Sequence, residues 1–290
     1  MRSGGSEVDG PGGRSRVALV TGASSGLGLR IAAALVSEGY RVIAGMRDLS
    51  KQESLLEAAR RAGAEERVDC RKLDVCDEDA VRRTVREVAE DYGRIDVLVN
   101  NAGFAVGGYT EDIPMEAWRA QFETNFFGLV ALTRAVLPVM REQRNGCIMN
   151  ISSISGRAGF PGYGPCAASK FAVEGFSEAL RLEMQPYGVD VVLLEPGAYR
   201  TEIWRKGFEG IHTPEGSPYH GELQSVLRYS QRTAETAPDP QEVADAVLRI
   251  LRHPRPKLRY PLGRGVALSL LGRSLLPWRW YERIVRRMLR

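Results

Sequence analysis

Short, mostly apolar segments alternate with longer segments of helical periodicity along most of this chain. The alternation predicts strands and helices in the repeating order strand–helix–strand, which is typical of a parallel sheet with buried faces. The predicted strands lie at 17–20, 41–44, 68–73, 95–99, 147–151 and 189–194. The predicted helices lie at 28–38, 55–61, 79–92, 118–144 and 167–185. This order predicts an α/β fold, a single-domain Rossmann-type doubly wound parallel sheet with helices on both faces.

The pattern changes at three places. Residues 1–15 are rich in Gly and Ser and predict a flexible tail ahead of a domain at 16–262. Within that domain, residues 200–238 are rich in Gly, Pro, Ser and Thr and predict an irregular insertion over a site. A helix at 239–251 and a final strand near 258–260 follow. Residues 263–290 predict a basic amphipathic extension.

Charge is uneven along the chain. The net charge is +4, yet residues 252–290 hold 11 Lys and Arg and one acidic residue, so the remainder carries about −6. Basic residues confined to one terminus argue against a nucleic-acid protein, whose basic side chains line the binding face. The extension also contains Trp278 and Trp280. It predicts either peripheral contact with an anionic membrane surface or a helix packed on the domain with solvated arginines.

Cysteine usage and the first residues bear on the compartment. The four cysteines form no C-x-x-C pair and have no histidine cluster beside them, which argues against a metal site. The first 16 residues lack the apolar core of a secretory signal, and no apolar run reaches the 18 residues of a membrane span. We therefore expect free thiols and a cytoplasmic protein.

A glycine-rich turn lies between the first predicted strand and helix. Residues 21–28 read Thr-Gly-Ala-Ser-Ser-Gly-Leu-Gly. Glycines at this junction let the backbone approach a pyrophosphate at a helix N-terminus, although such turns also serve packing alone. Three further motifs end predicted strands, where doubly wound sheets bind ligands. They are Leu-Asp-Val at 73–75, Asn-Asn-Ala-Gly at 100–103 and Glu-Pro-Gly at 195–197, the last followed by Thr201.

Together with Ser153 and Lys170, these motifs resemble the short-chain dehydrogenase/reductase (SDR) family in its classical form, over residues 16–251. The resemblance implies an oxidoreductase that binds a nicotinamide dinucleotide. It implies that the pyrophosphate loop, the adenine and ribose contacts and the nicotinamide contacts are formed by Gly22, Ser24, Ser25, Gly26, Leu27, Gly28, Asp74, Val75, Asn101, Ala102, Gly103, Lys170, Pro196, Gly197 and Thr201.

The choice between NAD and NADP is made at the end of the second strand. An NAD-preferring site has an acidic side chain there that accepts the ribose hydroxyls. We align that position with Gly45, and Arg47 two residues later would pair with a 2′-phosphate. Asp48 is a competing candidate if the alignment shifts, and Arg47 is otherwise a solvated loop residue. We expect NADP(H), with NAD less favoured.

The family mechanism uses a Ser, a Tyr, a Lys and an Asn. Ser153, Lys170 and Asn125 match three of these positions, and the resemblance gives Asn125 the role of organising a relay water. Cys166 stands four residues before Lys170, where the family has its proton-donating Tyr. Cys166 is either a substitute acid, a small core residue in a site without ordinary carbonyl chemistry, or a recent or introduced replacement. Tyr163, seven residues before Lys170, either substitutes for the Tyr or lines the pocket.

Aromatic and apolar residues surround the expected substrate position, which favours a small lipophilic ketone, aldehyde or alcohol. The candidates for this pocket are Phe104, Ile154, Phe160, Tyr163, Tyr199 and Trp204. The resemblance also implies a homo-oligomer, a dimer or tetramer, through the helices at 118–140 and 167–185. Two functions remain open: an NADP(H)-dependent oxidoreductase with an altered proton donor, and a catalytically impaired NADP(H)-binding protein that acts as a sensor or structural partner.

Overall fold

Seven parallel strands form the central sheet of the protein, seen in a computed structural model that describes residues 15–289. The spatial order is β3-β2-β1-β4-β6-β7-β9. These strands are β1 Val17–Thr21, β2 Arg41–Met46, β3 Val68–Lys72, β4 Val97–Asn100, β6 Gly146–Ile151, β7 Val189–Pro196 and β9 Arg259–Leu262. The α/β class and the doubly wound parallel sheet predicted from the alternation are confirmed. The tail predicted at 1–15 lies outside the described residues except for Ser15.

Helices cover both faces of this sheet. One face packs on the helices at 26–37 and 241–251 through Ile31, Leu35 and Val247. The other packs on the helices at 78–92, 128–143 and 164–184. The helices are α1 Gly26–Ser37, α2 Glu53–Arg61, α3 Glu78–Tyr92, α4 Met115–Phe122, α5 Gly128–Gln143, α6 Gly164–Met184, α7 Glu202–Glu209, α8 His220–Glu235, α9 Gln241–Leu251, α10 Val266–Leu275 and α11 Trp278–Met288.

The order of the strands reverses between β1 and β4. From β1 the chain builds outward through β2 and β3, then crosses back to β4 and continues outward on the other side. The carboxyl ends of β1 and β4 therefore diverge into loops on opposite sides, leaving a crevice between them. Thr21 and Asn100 end these two strands.

The helix predicted at 118–144 differs from the structure in one instructive way. It begins earlier, at Met115, and is interrupted by a π turn at Glu123–Phe127 that separates α4 from α5. A π turn inserts one residue into the helical repeat and often marks a functional position. Hydrophobic periodicity does not reveal it, because five residues are too few to shift the apolar face detectably.

The insertion at 200–238 is helical rather than irregular. It contains α7, α8 and the two-residue strand β8 Ile211–His212, which pairs with β5 Gly107–Gly108. Leu223, Val226 and Ser230 are buried at i, i+3 and i+7 along α8, so a helical pattern was present. The Gly and Pro residues that suggested a loop are concentrated at 207–221. The final strand also lies slightly later than the predicted 258–260.

Two buried amides tie β4 to β6 just before the crevice. The Asn100 amide donates to Asn150 Oδ1 at 2.9 Å and to Thr133 Oγ1 at 3.0 Å. Asn150 in turn donates to Ser177 Oγ on α6 at 2.8 Å. Because these groups are cut off from water, each bond lost leaves a polar atom without a partner.

We expect Asn150→Ala to lower the free energy of unfolding by about 1–3 kcal/mol, because it removes two buried hydrogen bonds and leaves a small cavity. Chemical denaturation measures this change. The matched control is Asn145→Ala, the same truncation at an exposed position, which we expect to change stability by less than about 0.5 kcal/mol. Equal effects of the two substitutions would contradict the importance of the amide chain.

Candidate active site

The glycine loop between β1 and α1 adopts a backbone that few other residues allow. Gly22 and Gly26 have φ of 64° and 56°, in the left-handed region that favours glycine. At Gly28 there is no room for a side chain, because a Cβ there would lie 2.3 Å from the Gly22 carbonyl oxygen. Ser25 is the N-cap of α1, and its side chain makes no capping hydrogen bond with any described residue. The first turn of α1 therefore offers N–H groups to an anion.

Thr21 joins this loop to the end of β4. Its Oγ1 accepts hydrogen bonds from the backbone N–H groups of Asn101 at 3.0 Å and Ala102 at 3.1 Å. The Asn101 side chain returns a bond to the Thr21 carbonyl at 2.8 Å. The Asn101 side-chain amide thus stabilises the start of the glycine loop. Sequence reasoning assigned Asn101 and Ala102 to the cofactor but missed Thr21, whose position at the end of β1 was the available signal.

Three other strand ends border the same crevice. After β3, Asp74 accepts from the Cys76 backbone N–H at 3.0 Å, and Val75 is buried. After β7, the Gly197 N–H donates to the Leu262 carbonyl at 2.9 Å. Thr201 then packs on the glycine loop, since a Cβ at Gly26 would lie 3.5 Å from Thr201 Cβ. The predicted cofactor residues that follow β1, β3, β4 and β7 therefore lie at one edge of the sheet. Those residues are Gly22, Ser24, Ser25, Gly26, Leu27, Gly28, Asp74, Val75, Asn101, Ala102, Gly103, Pro196, Gly197 and Thr201.

Arg47 and Asp48, which follow β2, differ in whether their side chains already have partners. Asp48 caps a short turn, accepting from the Ser50 backbone N–H at 3.0 Å and the Ser50 hydroxyl at 2.7 Å. The Ser50 bonds hold the pKa of the exposed Asp48 carboxyl below its usual value. Arg47 is exposed and forms no ion pair with any residue at 15–289. Of the two, Arg47 has its charge available to a ligand.

Ser153 follows the end of β6, and Lys170, in the second turn of α6, reaches the same strand end. Ser153 Oγ accepts from the Ser155 N–H at 3.1 Å, which starts a short turn packed against α6. Lys170 Nζ donates to the carbonyl of Ile151, the last residue of β6, at 2.6 Å. Burial lowers the Lys170 pKa, while the nearby Glu174 acts in the opposite direction. An ammonium group has three donors, so Lys170 retains two beyond this bond.

Cys166 precedes Lys170 by one turn of α6 and is half-buried. Burial raises the pKa of its thiol, although the Lys170 charge and the Gln121 amide lower it in part. The thiol is therefore protonated at neutral pH. It lies close to Gln121, which is fully buried and whose amide accepts from the Val106 N–H at 2.8 Å.

Asn125 lies in the π turn and is buried. Its Oδ1 accepts from the Phe104 N–H at 3.0 Å, and its Nδ2 donates to the Phe104 carbonyl at 2.9 Å. Both atoms of the amide are thus used on one residue. The side chain thereby fixes the loop after β4. One N–H donor and one carbonyl lone pair of the amide remain, and the role in organising a relay water stays a prediction.

The expected pocket residues lie in three places. Ile154 and Phe104 are half-buried on loops beside Ser153 and Asn125. Phe160 and Tyr163 contact α8: the Phe160 and Tyr229 rings lie 5.4 Å apart, and the Tyr163 hydroxyl donates to Ser230 at 3.0 Å. Helix α8 therefore covers the loop after Ser153. Trp204 lies on α7 and donates to the Tyr199 carbonyl at 2.9 Å.

Tyr199 differs from the expectation that it lines the pocket. Its side chain is 4% exposed and belongs to the core cluster that includes α9. A Cβ at Gly263 would lie 3.5 Å from its hydroxyl. The residue thus anchors the loop after β7 to the domain. Its backbone carbonyl accepts the hydrogen bond from Trp204. Strand-end position alone does not tell which way a loop side chain turns.

A buried ion cluster lies behind Ser153 and Lys170. Glu195 is fully buried and pairs with Arg157 at 3.0 Å and Arg259 at 3.1 Å. Arg259 also contacts Glu174 at 3.0 Å, one turn beyond Lys170. Burial raises the pKa of Glu174. The cluster joins β7, β9, α6 and the loop after Ser153, and sequence reasoning missed it because its members are far apart in the chain.

The motifs of this site lie within a segment that matches a known protein family. The model of a family described as short chain dehydrogenase matches residues 16–211, more than half of the chain. The chain belongs to the short-chain dehydrogenase family. An uncharacterised oxidoreductase of Bacillus subtilis, YusZ, is 44% identical over 277 residues, 94% of this chain and 98% of that protein. The resemblance stated from the motifs is confirmed at the level of the family.

Two further relatives carry more specific names. A 3-ketodihydrosphingosine reductase of Bacteroides thetaiotaomicron is 35% identical, covering 90% of this chain and 93% of that protein. Human retinol dehydrogenase 8 is 37% identical, covering 84% and 80% respectively. This chain is thus an SDR oxidoreductase by its family.

Solved structures of the family hold nicotinamide cofactors. An SDR from Burkholderia phymatum in complex with NAD has a TM-score of 0.79 at 25% identity, over 90% of this chain and 93% of that one. A metagenomic short-chain oxidoreductase in complex with NADP has a TM-score of 0.68 at 28% identity, over 85% and 96%.

The residues present here fit such a cofactor. The glycine loop has the backbone angles and the open helix N-terminus that a pyrophosphate needs. Lys170 has donors left for the ribose hydroxyls. We assign nicotinamide dinucleotide binding to this crevice.

We expect Gly28→Ala to weaken NADPH binding by about tenfold or more, since the new methyl group displaces the loop that supplies phosphate hydrogen bonds. Fluorescence titration of NADPH measures the change. Gly175→Ala is the matched control: it also lies in a helix, and no heavy atom lies within 4 Å of its added Cβ. We expect the control to bind NADPH normally and to gain roughly 0.5–1 kcal/mol in stability. Unchanged affinity in Gly28→Ala would refute the assigned site.

Proposed function

We propose that this protein is an NADP(H)-dependent oxidoreductase that interconverts a lipophilic ketone or aldehyde and its alcohol, with Cys166 at the position of the usual proton donor. The observation that carries the proposal is the placement of Ser153 and Lys170 at the end of β6, at the same edge of the sheet as the glycine loop. The Lys170 bond to the Ile151 carbonyl at 2.6 Å keeps its ammonium on the side of the crevice.

The residues divide the work of reduction among them. A bound nicotinamide cofactor supplies the hydride to the carbonyl carbon. Ser153 Oγ would hold the carbonyl oxygen by a hydrogen bond, and Lys170 would orient the ribose. A proton must still reach the new alkoxide oxygen. Cys166 offers a protonated thiol for this, yet its side chain is several ångströms shorter than that of Tyr, so proton transfer needs an intervening water.

The preference for NADP(H) rests on the second strand. Gly45 leaves no acidic group at the position that we align with the ribose hydroxyls, and Asp48 is occupied with Ser50. The exposed Arg47 is positioned just past the strand end to pair with a 2′-phosphate. Both observations support the phosphorylated cofactor.

The lipophilic substrate rests on the residues around Ser153. Phe104, Phe160 and Tyr163 present aromatic surface on the loops that lead to it, and α8 covers these loops. The names of two relatives, a 3-ketodihydrosphingosine reductase and a retinol dehydrogenase, refer to lipophilic compounds and point in the same direction.

We also propose a cytoplasmic homo-oligomer. All four cysteines are free thiols, which suits a reducing compartment. Phe127 and Phe171 are 51% and 47% exposed on neighbouring helical segments. Large aromatic side chains exposed in this way are typical of an interface between subunits.

We expect Cys166→Tyr to reduce lipophilic ketones about 10²–10⁴-fold faster than the unchanged protein, because a phenol reaches the carbonyl oxygen directly. NADPH oxidation against a panel of such ketones measures this. Ser153→Ala, made in both backgrounds, is the control and should remove the activity in each. NADPH binding should be the same in all four proteins.

Three other outcomes have clear meanings. If the unchanged protein is as fast as Cys166→Tyr, then Cys166 or Tyr163 already delivers the proton, and Tyr163→Phe identifies which. If Cys166→Tyr binds NADPH but reduces nothing in the panel, the proposed substrate class is wrong. If only Cys166→Tyr turns over, the unchanged protein is a cofactor-binding protein, the second function considered.

We expect Arg47→Ala to raise the KM for NADPH by about 10–100-fold while the KM for NADH stays unchanged, since a charge-assisted bond to the 2′-phosphate is lost. Steady-state kinetics in the Cys166→Tyr background measures both constants. Arg83→Ala removes an equally exposed arginine on α3 and serves as the control. An equal loss with both cofactors would contradict a role in choosing between them.

A further inference from the structure

Two short helices at the end of the described chain turn apolar side chains toward solvent. On α10, Leu268, Leu271 and Leu275 are spaced i, i+3 and i+7 and so share one face, with Leu268 and Leu275 each 74% exposed. On α11, Trp280 and Ile284 are spaced i and i+4, and Trp280 is 58% exposed. We refer to these five residues together with Met288 as the outer faces of α10 and α11.

The opposite sides of the two helices are anchored. Val266 and Leu270 of α10 and Val285 of α11 are buried. The Arg273 guanidinium lies 4.5 Å from the ring centroid of Trp278 and 5.2 Å from that of Tyr281, which joins the helices through cation–π contacts. The outer faces are therefore held outward by packing on their inner sides.

Positive charge surrounds the apolar residues. Residues 263–290 contain seven arginines and one acidic residue, Glu282. The arginines that are exposed on or beside these helices are Arg264, Arg279, Arg283, Arg286 and Arg287. Exposed Leu and Trp beside arginines form the composition of helices that lie in the interface of an anionic bilayer. No helix within residues 15–289 is long and apolar enough to cross a membrane.

The extension also borders both loops that frame the crevice. The Tyr281 hydroxyl donates to the Gly159 carbonyl, on the loop after Ser153, at 3.3 Å. Val266 packs on the loop after β7, where a Cβ at Gly197 would lie 2.7 Å from Val266 Cγ2. A surface that binds α10 and α11 is therefore next to the entrance of the substrate site.

We propose that the outer faces of α10 and α11 dock on an anionic phospholipid surface. The choice of a bilayer over a second copy of this chain follows from charge: a two-fold contact would bring the same arginine-rich faces together, like charge against like. Phospholipid headgroups supply the opposite charge, and the acyl region receives Leu and Trp side chains. One consequence, which rests on the proposed function, is that a lipophilic substrate reaches the crevice from the bilayer.

The test is co-sedimentation of the purified full chain with vesicles of phosphatidylcholine alone or of phosphatidylcholine with phosphatidylserine. We expect binding to the anionic vesicles that salt weakens. Each basic residue near such a surface strengthens binding on the order of fivefold, so Arg283→Glu with Arg287→Glu should weaken it at least about tenfold. Leu275→Ser with Trp280→Ser should also abolish most of the binding.

Matched controls lie elsewhere on the surface. Arg83→Glu reverses an exposed charge on α3, and Leu182→Ser removes an apolar side chain that is 73% exposed on α6. Both should bind vesicles like the unchanged protein. Every variant should keep its NADPH affinity, which shows that it is folded.

Three results would overturn the proposal: no preference for anionic vesicles, equal losses in the control variants, or no vesicle binding together with a self-association that Leu275→Ser and Trp280→Ser disrupt. The last would assign the outer faces to a second copy of the chain. Vesicle binding is measured without a substrate. Binding with no ketone reduction would therefore refute only the proposed function, and reduction without binding would refute only this inference.

Discussion

The hydrogen bonds that Thr21 accepts from the Asn101 and Ala102 backbone are the constraint on which the rest of the site depends. They join the ends of β1 and β4, the two strands between which the sheet reverses its order. Parallel strands on opposite sides of a switch point have loops that diverge. Without these bonds, the pairing of β1 with β4, which ends at Val20 and Val99, would be the nearest backbone link between the glycine loop and the loop that leads to Phe104. Thr21 and the Asn101 amide make them one rigid floor for a cofactor.

This arrangement explains which parts of the fold could be predicted from the sequence. Buried parallel strands contain apolar runs because both faces are covered, and glycines mark turns by their backbone angles. Both signals are local. The π turn around Asn125 and the helices of the insertion were missed for different reasons. A π turn changes only one helical repeat, which is too little to alter the hydrophobic pattern. Helix α8 packs Leu223 and Val226 on the loop after Ser153. The sequence does not reveal that contact, and the Gly and Pro content of the segment predicted a loop instead.

The site shows the same division between local and distant information. Ser153, Lys170 and the glycines were found through motifs of fixed spacing. Arg259 was not, although it links Glu195 to Glu174, because 85 residues separate it from Glu174 and 64 from Glu195. Asn125 was also found through its motif, and the structure adds that its amide holds the loop at Phe104. A motif identifies a position, whereas the direction of a side chain depends on its neighbours in space.

The hydrogen bonds that hold the cofactor-site residues and Ser153 in place are independent of the Cys166 side chain. In the proposed function the dinucleotide is bound by Lys170 and by the glycine loop, which Thr21 and Asn101 support. None of the hydrogen bonds described for these residues involves the side chain at 166. Ser153 is likewise fixed by its own turn through the Ser155 N–H. In the proposed function the side chain at 166 therefore bears on proton delivery, and the scaffold for cofactor and carbonyl does not depend on it. In the proposed function, turnover and cofactor binding are for this reason separable properties of the site: the first depends on the side chain at 166 and the second does not.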